Sequence, residues 1–167
     1  NKQQYIDIES DSIFFLETSG CQISYKRNSV INPRQACAVE STARMNPEKR
    51  VYLLYFLRAK DDSLYKFGLE NDILIKKILE YENIQIKLID LGDYMKFMIE
   101  QSSDVLRYLT MWKYGGTYMD LDVVVMKNLG ELGTDYMGAE ERDSVANGVL
   151  SFNSTGSGHE VASMILE

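Results

Sequence analysis

Apolar residues in this chain follow two rhythms that alternate. The runs Ile13 to Thr18, Val51 to Leu57 and Ile84 to Ile89 are nearly continuous, as in strands buried on both faces of a parallel sheet. Between them the spacing becomes helical. Asn32-Pro33 predicts a helix start, with a capping side chain followed by proline at the first position, and Asn46-Pro47 predicts its end. Asn71 or Asp72 caps a second helix carried through Ile73, Ile75, Leu79 and Tyr81. Ser102 or Ser103 opens a third, on which Val105, Leu106, Leu109 and Trp112 recur every three or four residues and predict its buried face. Gly115 or Gly116 supplies the positive φ that ends this helix, and Thr117-Tyr118-Met119 follows as strand. Val123 to Met126, Tyr136 to Ala139 and Val149 to Phe152 read as further strands, and a last helix begins near Ser157. The alternation predicts an α/β fold, a mixed but mostly parallel sheet flanked by helices, with a nucleotide site at the carboxyl ends of its strands.

The stretch from Ser103 to Asp122 carries the chemistry. Asp104 lies in the first turn of the third helix, where the macrodipole favours negative charge, and Arg107 is three residues on. Alone, that pair reads as an exposed ion contact worth about 0.2–0.5 kcal/mol. Asp120 and Asp122 are two apart, so a strand running through both would send their carboxylates to the same side and Leu121 to the other. Two converging carboxylates repel unless a cation or a proton joins them, and hard oxygen ligands suit magnesium, calcium or manganese. A D-x-D on its own also marks turns, and this chain has 25 acidic residues. The order acid, arginine, paired glycines, paired aspartates is more specific than any of its parts.

Composition narrows the classes. The 167 residues, 45% apolar, suffice for one core, and a formal charge of −7 argues against nucleic acid as a partner. The longest apolar run, Val51 to Leu57, is far shorter than the roughly 20 residues of a membrane span. Cys21 and Cys37 could pair in an oxidising compartment, or Cys37 could be a small core residue of its helix. Asn153-Ser154-Thr155 forms an N-glycosylation sequon, and Asn147-Gly148 reads locally as a hairpin turn. His159, the only histidine, reads first as a satisfied or solvated residue near a helix start.

The run S-D-x-x-R-Y, then G-G-x-Y-x-D-x-D-V, resembles the donor-sugar region of DXD glycosyltransferases of the α-1,4 group. That group includes the lactosylceramide 4-alpha-galactosyltransferases (globotriaosylceramide synthases) and related α-1,4-N-acetylgalactosaminyl enzymes. Related signatures occur in initiating mannosyltransferases of yeast type and in clostridial toxins. The likeness extends through Ile13 to Ser19, through Ala36 to Arg44 with Asn46-Pro47-Glu48, and to Asn147-Gly148 and Gly158-His159. It implies a GT-A-like fold and transfer of galactose or N-acetylgalactosamine from a UDP-sugar to a glycan or glycolipid hydroxyl, in α-1,4 linkage with retained configuration. It further implies a Mn2+ or Mg2+ ion held most directly by Asp122, with Asp120 serving the ribose or a metal-bound water. Asp104 and Arg107 would hold sugar hydroxyls or ribose, while Leu16, Glu17, Thr18 and Ser19 would border the uridine largely through backbone atoms. Asn147 and Gly148 would lie near the donor sugar. No nucleophile or base is assigned, since enzymes of this type can use the donor phosphate itself. Residues 1–12 would end a stem, and 13–167 would be the amino-terminal, donor-binding part of a catalytic domain. The full-length protein would be a single-pass type II protein of the Golgi lumen, with its anchor outside this chain. Two other readings remain at this point: a nucleotide-sugar-binding pseudoenzyme, and a haloacid dehalogenase-like phosphatase in which Asp120 is phosphorylated, since Met119-Asp120-Leu121-Asp122-Val123-Val124 also fits that motif.

Overall fold

Six strands share one sheet, in the order β3-β2-β1-β4-β6-β5. The structure is a computed structural model and describes residues 7–18, 30–57, 68–90 and 103–167. Strand β1 (Ile13–Glu17) is the centre, buried at every position and paired in parallel with β2 (Val51–Leu57) on one side and β4 (Gly116–Met119) on the other. β3 (Ile84–Asp90) extends the parallel half beyond β2. β6 (Ser144–Phe152) runs antiparallel to β4 and also to the edge strand β5 (Tyr136–Glu141).

Alternate side chains of the central strands feed two cores on opposite faces of the sheet. Ile13, Phe15, Leu53 and Tyr55 pack with Ala36, Val39 and Ala43 of helix α1 (Pro33–Met45) and Ile75 and Ile78 of α2 (Ile73–Ile78). Phe14, Leu16, Tyr52 and Leu54 pack with Leu106 and Met111 of α3 (Ser103–Tyr114) and Ala162 of α4 (Ser157–Leu166). The apolar runs are continuous because each face of these strands has its own helix layer.

Local chemistry fixes where the helices begin and end. Asn32 accepts from the N–H groups of Arg34 and Gln35, and the Gln35 side chain accepts from the Asn32 N–H, a complete capping box ahead of Pro33. Asp72 caps α2 through the N–H of Leu74 and Ile75, and Leu79 and Tyr81 fall beyond its last residue. At the end of α1 the fully buried Asn46 donates to the Thr42 carbonyl and accepts from the Leu129 N–H, which ties the segment after β4 to the helix.

Four expectations need correction. Leu109 and Trp112 are 37% and 42% exposed, and the buried stripe of α3 is Leu106, Arg107, Thr110 and Met111. The stripe is rotated because an arginine occupies a position that an apolar pattern assigns to solvent. Asn147-Gly148 is no turn: both residues lie inside β6, and the hairpin reverses at Arg142 and Asp143. Val123 to Met126 joins no ladder; Val125 turns inward with its N–H on the Ser41 hydroxyl, while Val124 and Met126 face solvent. Cys37 is exposed rather than a core residue. Its proposed partner Cys21 lies outside the described residues, as do Ser19 and Ser102.

The crossing from α3 into β4 depends on glycine. Gly116 has φ +89°, and a Cβ there would stand 2.1 Å from the Ser12 carbonyl oxygen, which already accepts from Thr117 N–H at 2.9 Å. No side chain fits without parting β4 from the start of β1. Gly116→Ala is expected to destabilise the fold by about 3 kcal/mol or more, read from urea unfolding; a loss below about 1 kcal/mol would contradict this account of the junction.

Candidate functional site

The strand order reverses direction between β1 and β4, because the chain builds outward through β2 and β3 and then returns to the other side of β1. Side chains at the carboxyl ends of two such parallel strands border a crevice that no crossover helix covers. A cavity of about 340 Å3 lies there, lined by Leu16 from β1, by Tyr118, Asp120, Leu121 and Asp122 from β4 and its exit, and by Asn32, Arg34, Gln35 and Ser103 from the first turns of α1 and α3. A larger hollow of about 630 Å3 opens at the amino ends of the strands, bordered by Glu9, Lys49, Arg50 and Glu82. Its charges are spent on each other and their surroundings, with Arg50 on Glu9 at 3.2 Å and Lys49 on Asp11 at 3.0 Å. Chemistry therefore favours the smaller cavity.

Arg107 organises the floor of the site. Its side chain is 8% exposed, and one terminal nitrogen donates to the backbone and side-chain oxygens of Asn147, each at 2.7 Å. That nitrogen also lies 3.6 Å from Asp120 Oδ1, while the other reaches Asp104 Oδ1 at 3.1 Å and the Ser103 hydroxyl at 3.4 Å. The guanidinium carbon sits 4.8 Å from the centre of the Tyr118 ring, a cation–π contact. Asn147 closes the circuit by donating to Asp104 Oδ1 at 3.1 Å. Arg107 Nε is buried with no hydrogen-bond partner among the described residues, so the side chain is held by its two outer nitrogens. Arg107 is buried while the Asp104 side chain is 61% exposed, so the pair is a half-buried clamp that ties a solvent-facing acid to a core guanidinium, rather than the wholly exposed contact that its spacing alone suggests.

Asp120 is fixed from three directions. Its N–H donates to the Gly148 carbonyl at 2.8 Å, its Oδ1 accepts from the Tyr118 hydroxyl at 2.5 Å, and a Cβ on Gly148 would stand 2.8 Å from its Oδ2. Burial, and then the Asp120 carboxylate, hold the Tyr118 hydroxyl well above the usual tyrosine range, so it stays protonated and keeps donating. Asp122 is less confined. The strand ends at Met119 and Val123 N–H turns back to the Asp120 carbonyl at 3.1 Å, so the expected same-side projection from a continuing strand does not occur. The Asp122 side chain is 65% exposed, and Arg34 Nη2 lies 3.9 Å from its Oδ2.

Both carboxylates nevertheless line the one cavity. Among the described residues no group of three or more histidine, cysteine or acidic side chains forms a self-sufficient metal cage. Two hard carboxylates facing open space fit a divalent cation whose remaining ligands are water and substrate phosphate oxygens, the usual arrangement for magnesium-like ions. Of the uridine-side candidates, Leu16 lines the cavity, the buried Glu17 accepts from Gln35 Nε2 at 2.8 Å, and Thr18 is half-buried just past β1. His159 stands apart from this group: its ring stacks on Trp112 at 5.6 Å and its Nδ1 lies 3.1 Å from the Trp112 carbonyl oxygen, joining α4 to α3. The Asn153 side chain is exposed and donates to Thr134 and Asp135. Sequence reading missed Tyr118, Asn32, Arg34 and Gln35 as site residues. A basic residue in the first turn of α1, where the macrodipole disfavours one, was the available signal for Arg34.

The sequence profile of the glycosyltransferase sugar-binding region containing the DXD motif matches residues 32–142, from the α1 cap to the β5–β6 turn. The chain belongs to this DXD glycosyltransferase family. Lactosylceramide 4-alpha-galactosyltransferase of Homo sapiens is 30% identical over 160 residues, covering 84% of this chain and 41% of that protein. The Rattus norvegicus enzyme of the same name is 29% identical with the same coverage. Human alpha-1,4-N-acetylglucosaminyltransferase is 27% identical over 140 residues, 70% of this chain and 38% of that protein. The chain spans about two fifths of the length of these relatives. Among solved structures, the PaToxG glycosyltransferase superposes with a TM-score of 0.55 at 16% identity, over 87% of this chain and 56% of that one, a likeness of fold. The α/β sheet with its flanking helices is thus the GT-A-like architecture expected from the motifs.

Gly148 and Tyr118 give separable tests of this geometry. Gly148→Ala would push the Asp120 carboxylate off the Tyr118 hydroxyl and is expected to lower stability by about 1 kcal/mol in urea unfolding, while secondary structure stays unchanged by circular dichroism. Unaltered stability would contradict the packing of Asp120 over Gly148. For Tyr118 the folded chain keeps a proton that the unfolded chain releases near pH 10 (about the model-peptide value), so its contribution to stability is complete below that pH and is lost above it. Unfolding free energy should therefore fall above about pH 10, by up to about 1.4 kcal/mol per pH unit for this one group. Tyr118→Phe should lack that part of the slope; an unchanged slope would contradict the shift.

Proposed function

We propose that this chain forms the donor-binding part of a metal-dependent, retaining glycosyltransferase that moves galactose or an N-acetylhexosamine from a UDP-sugar to a glycan or glycolipid hydroxyl in α-1,4 linkage. The observation that carries the reading is the pair Asp120 and Asp122 on one cavity at the β1–β4 switch, with Asp104 clamped beside it by Arg107 and Asn147. Family membership supports sugar transfer, and the names of two relatives support the α-1,4 linkage and the galactosyl or N-acetylhexosaminyl donor. The acetamido sugar in one of those names has the gluco configuration, so the galactose and N-acetylgalactosamine donors expected from the motifs become two of three candidates.

In this reading Asp122 and Asp120 hold a Mn2+ or Mg2+ ion, which supplies charge neutralisation at the donor diphosphate when bound. Tyr118 keeps the Asp120 carboxylate oriented. Asp104 uses Oδ1 on Arg107 and Asn147 and leaves Oδ2 for a sugar hydroxyl, so Arg107 acts by positioning Asp104 rather than by touching substrate. Leu16, Glu17, Thr18 and Ser19 border the uridine, and Gly148 allows donor and carboxylate to approach the strand closely. The acceptor oxygen attacks the anomeric carbon as its bond to the β-phosphate oxygen breaks, and the acceptor proton passes to the departing diphosphate. The acceptor contacts, a membrane anchor and residence in the Golgi lumen belong to the full-length protein in this proposal, with 13–167 as its donor half.

The specific observation against an aspartyl-phosphate phosphatase is that Asp120 Oδ1 is already engaged by Tyr118 and lies beside Arg107, which blunts it as a nucleophile. A pseudoenzyme differs in outcome only. Transfer from UDP-galactose, UDP-N-acetylgalactosamine and UDP-N-acetylglucosamine to lactosylceramide by the full-length protein with Mn2+ is the test. Asp122→Asn is expected to lower turnover by about a hundredfold or more without unfolding the protein. Turnover unaffected by Asp122→Asn would sink the metal assignment, and nucleotide-sugar binding without transfer to any acceptor would favour the pseudoenzyme.

A further inference from the structure

Among the described residues lining the donor cavity there is one basic side chain, Arg34. Arg107 also borders the acidic pair, but it is buried and its outer nitrogens are occupied by Asn147, Asp104 and Ser103. Arg34 is in the opposite condition. Its side chain is 80% exposed, and its nearest acid is Asp122, 3.9 Å away and itself 65% exposed. A solvated pair at that separation contributes little to stability and exchanges readily.

The backbone that carries Arg34 is nonetheless rigid. Asn32 accepts from the N–H of both Arg34 and Gln35, and Gln35 reaches back to the Asn32 N–H and across to Glu17 at the end of β1. The cap uses up these N–H groups, so the helix end offers little of its own to an anion, and the guanidinium is what this turn presents to the cavity. Helix stability does not explain it, since a cation in the first turn opposes the macrodipole, and α1 has no acidic residue there to offset it.

Charge balance supplies the reason. A dication held by Asp120 and Asp122 would meet two carboxylates as well as the diphosphate of a sugar nucleotide, so it would offset only part of the diphosphate's charge. That charge grows when the bond to the sugar breaks. A guanidinium is suited to it, with a planar fork that matches paired phosphate oxygens.

We infer that Arg34 is a diphosphate-binding residue, placed 3.9 Å from Asp122 so that it can turn to the donor's phosphate oxygens when cation and nucleotide enter. This rests on the donor-site reading of the cavity and adds to it a residue from α1, outside the D-x-D run. Arg34 thus stands beside Asp122 as a counter-ion and within reach of the leaving group as a clamp.

Binding calorimetry on the full protein tests it without relying on turnover. With saturating Mn2+, Arg34→Gln is expected to weaken UDP at least about tenfold, and Arg34→Lys by less, because lysine keeps the charge but not the fork. Mn2+ alone should bind Arg34→Gln as tightly as wild type or more tightly, and the thermal midpoint should not move, since the side chain is exposed. UDP binding to Arg34→Gln at wild-type affinity would overturn the assignment while leaving the donor site intact. Equal losses in the Gln and Lys variants, or weaker Mn2+ binding to Arg34→Gln, would also overturn it, by pointing to packing. Wild-type protein that binds no UDP with Mn2+ would overturn the donor-site reading and this inference together.

Discussion

A buried guanidinium with every outer nitrogen occupied is the constraint on which the site depends. Arg107 takes a core position on α3, where a charge is tolerable only because Asp104, Asn147, Ser103 and the Tyr118 ring surround it. Those partners come from α3, β4 and β6, so one side chain sets the spacing of three elements. Asp120 is placed as a consequence: it leaves β4 beside Arg107, above a residue that has no side chain, with its N–H on that residue's carbonyl. A preorganised Asp120 carboxylate is thus a product of packing, whereas Asp122, 65% exposed, has no such support.

The sheet topology decides what that carboxylate faces. Because β1 pairs with β2 on one side and β4 on the other, the carboxyl ends of β1 and β4 open onto a crevice between two helix starts. The α1 start brings Asn32, Arg34 and Gln35, and the α3 start brings Ser103. One wall of the cavity is acidic and the other carries a single cation. That polarity suits a ligand with a metal-bound anionic middle, as a sugar nucleotide has.

Much of the architecture was legible because its signals are local. Asn32-Pro33, the Asp72 cap and the doubly apolar strands each depend on near neighbours, and each was read with its boundary within a residue or so. The misreadings around the site involve a distant partner. Leu109 and Trp112 were assigned inward because an apolar pattern has no means of counting Arg107 as buried; its hydrogen-bond acceptor Asn147 is 40 residues away. Asn147-Gly148 has turn chemistry, yet Arg107 holds Asn147, the Gly148 carbonyl accepts from the Asp120 N–H, and Asp120 supplies the reason for a glycine, so tertiary contacts override the local preference. The D-x-D leaves the strand where the Val123 N–H turns back to the Asp120 carbonyl. Asp104, Arg107, Asp120 and Asp122 were identified from their order, and Arg34 and Tyr118 were missed because their relevance appears only when α1 and β4 meet at one cavity.

Family membership, the switch-point cavity and the clamped acids all bear on one physical claim, that Asp120 and Asp122 share a dication with a nucleotide diphosphate. The most direct measurement is a crystal structure of the protein grown with MnCl2 and UDP, with anomalous differences collected at the manganese edge. The account predicts a single strong anomalous peak within about 2.5 Å of an Asp122 oxygen and in contact with the diphosphate, with the uridine toward Leu16. Ordered UDP elsewhere on the molecule, or a manganese peak far from both aspartates, would contradict it.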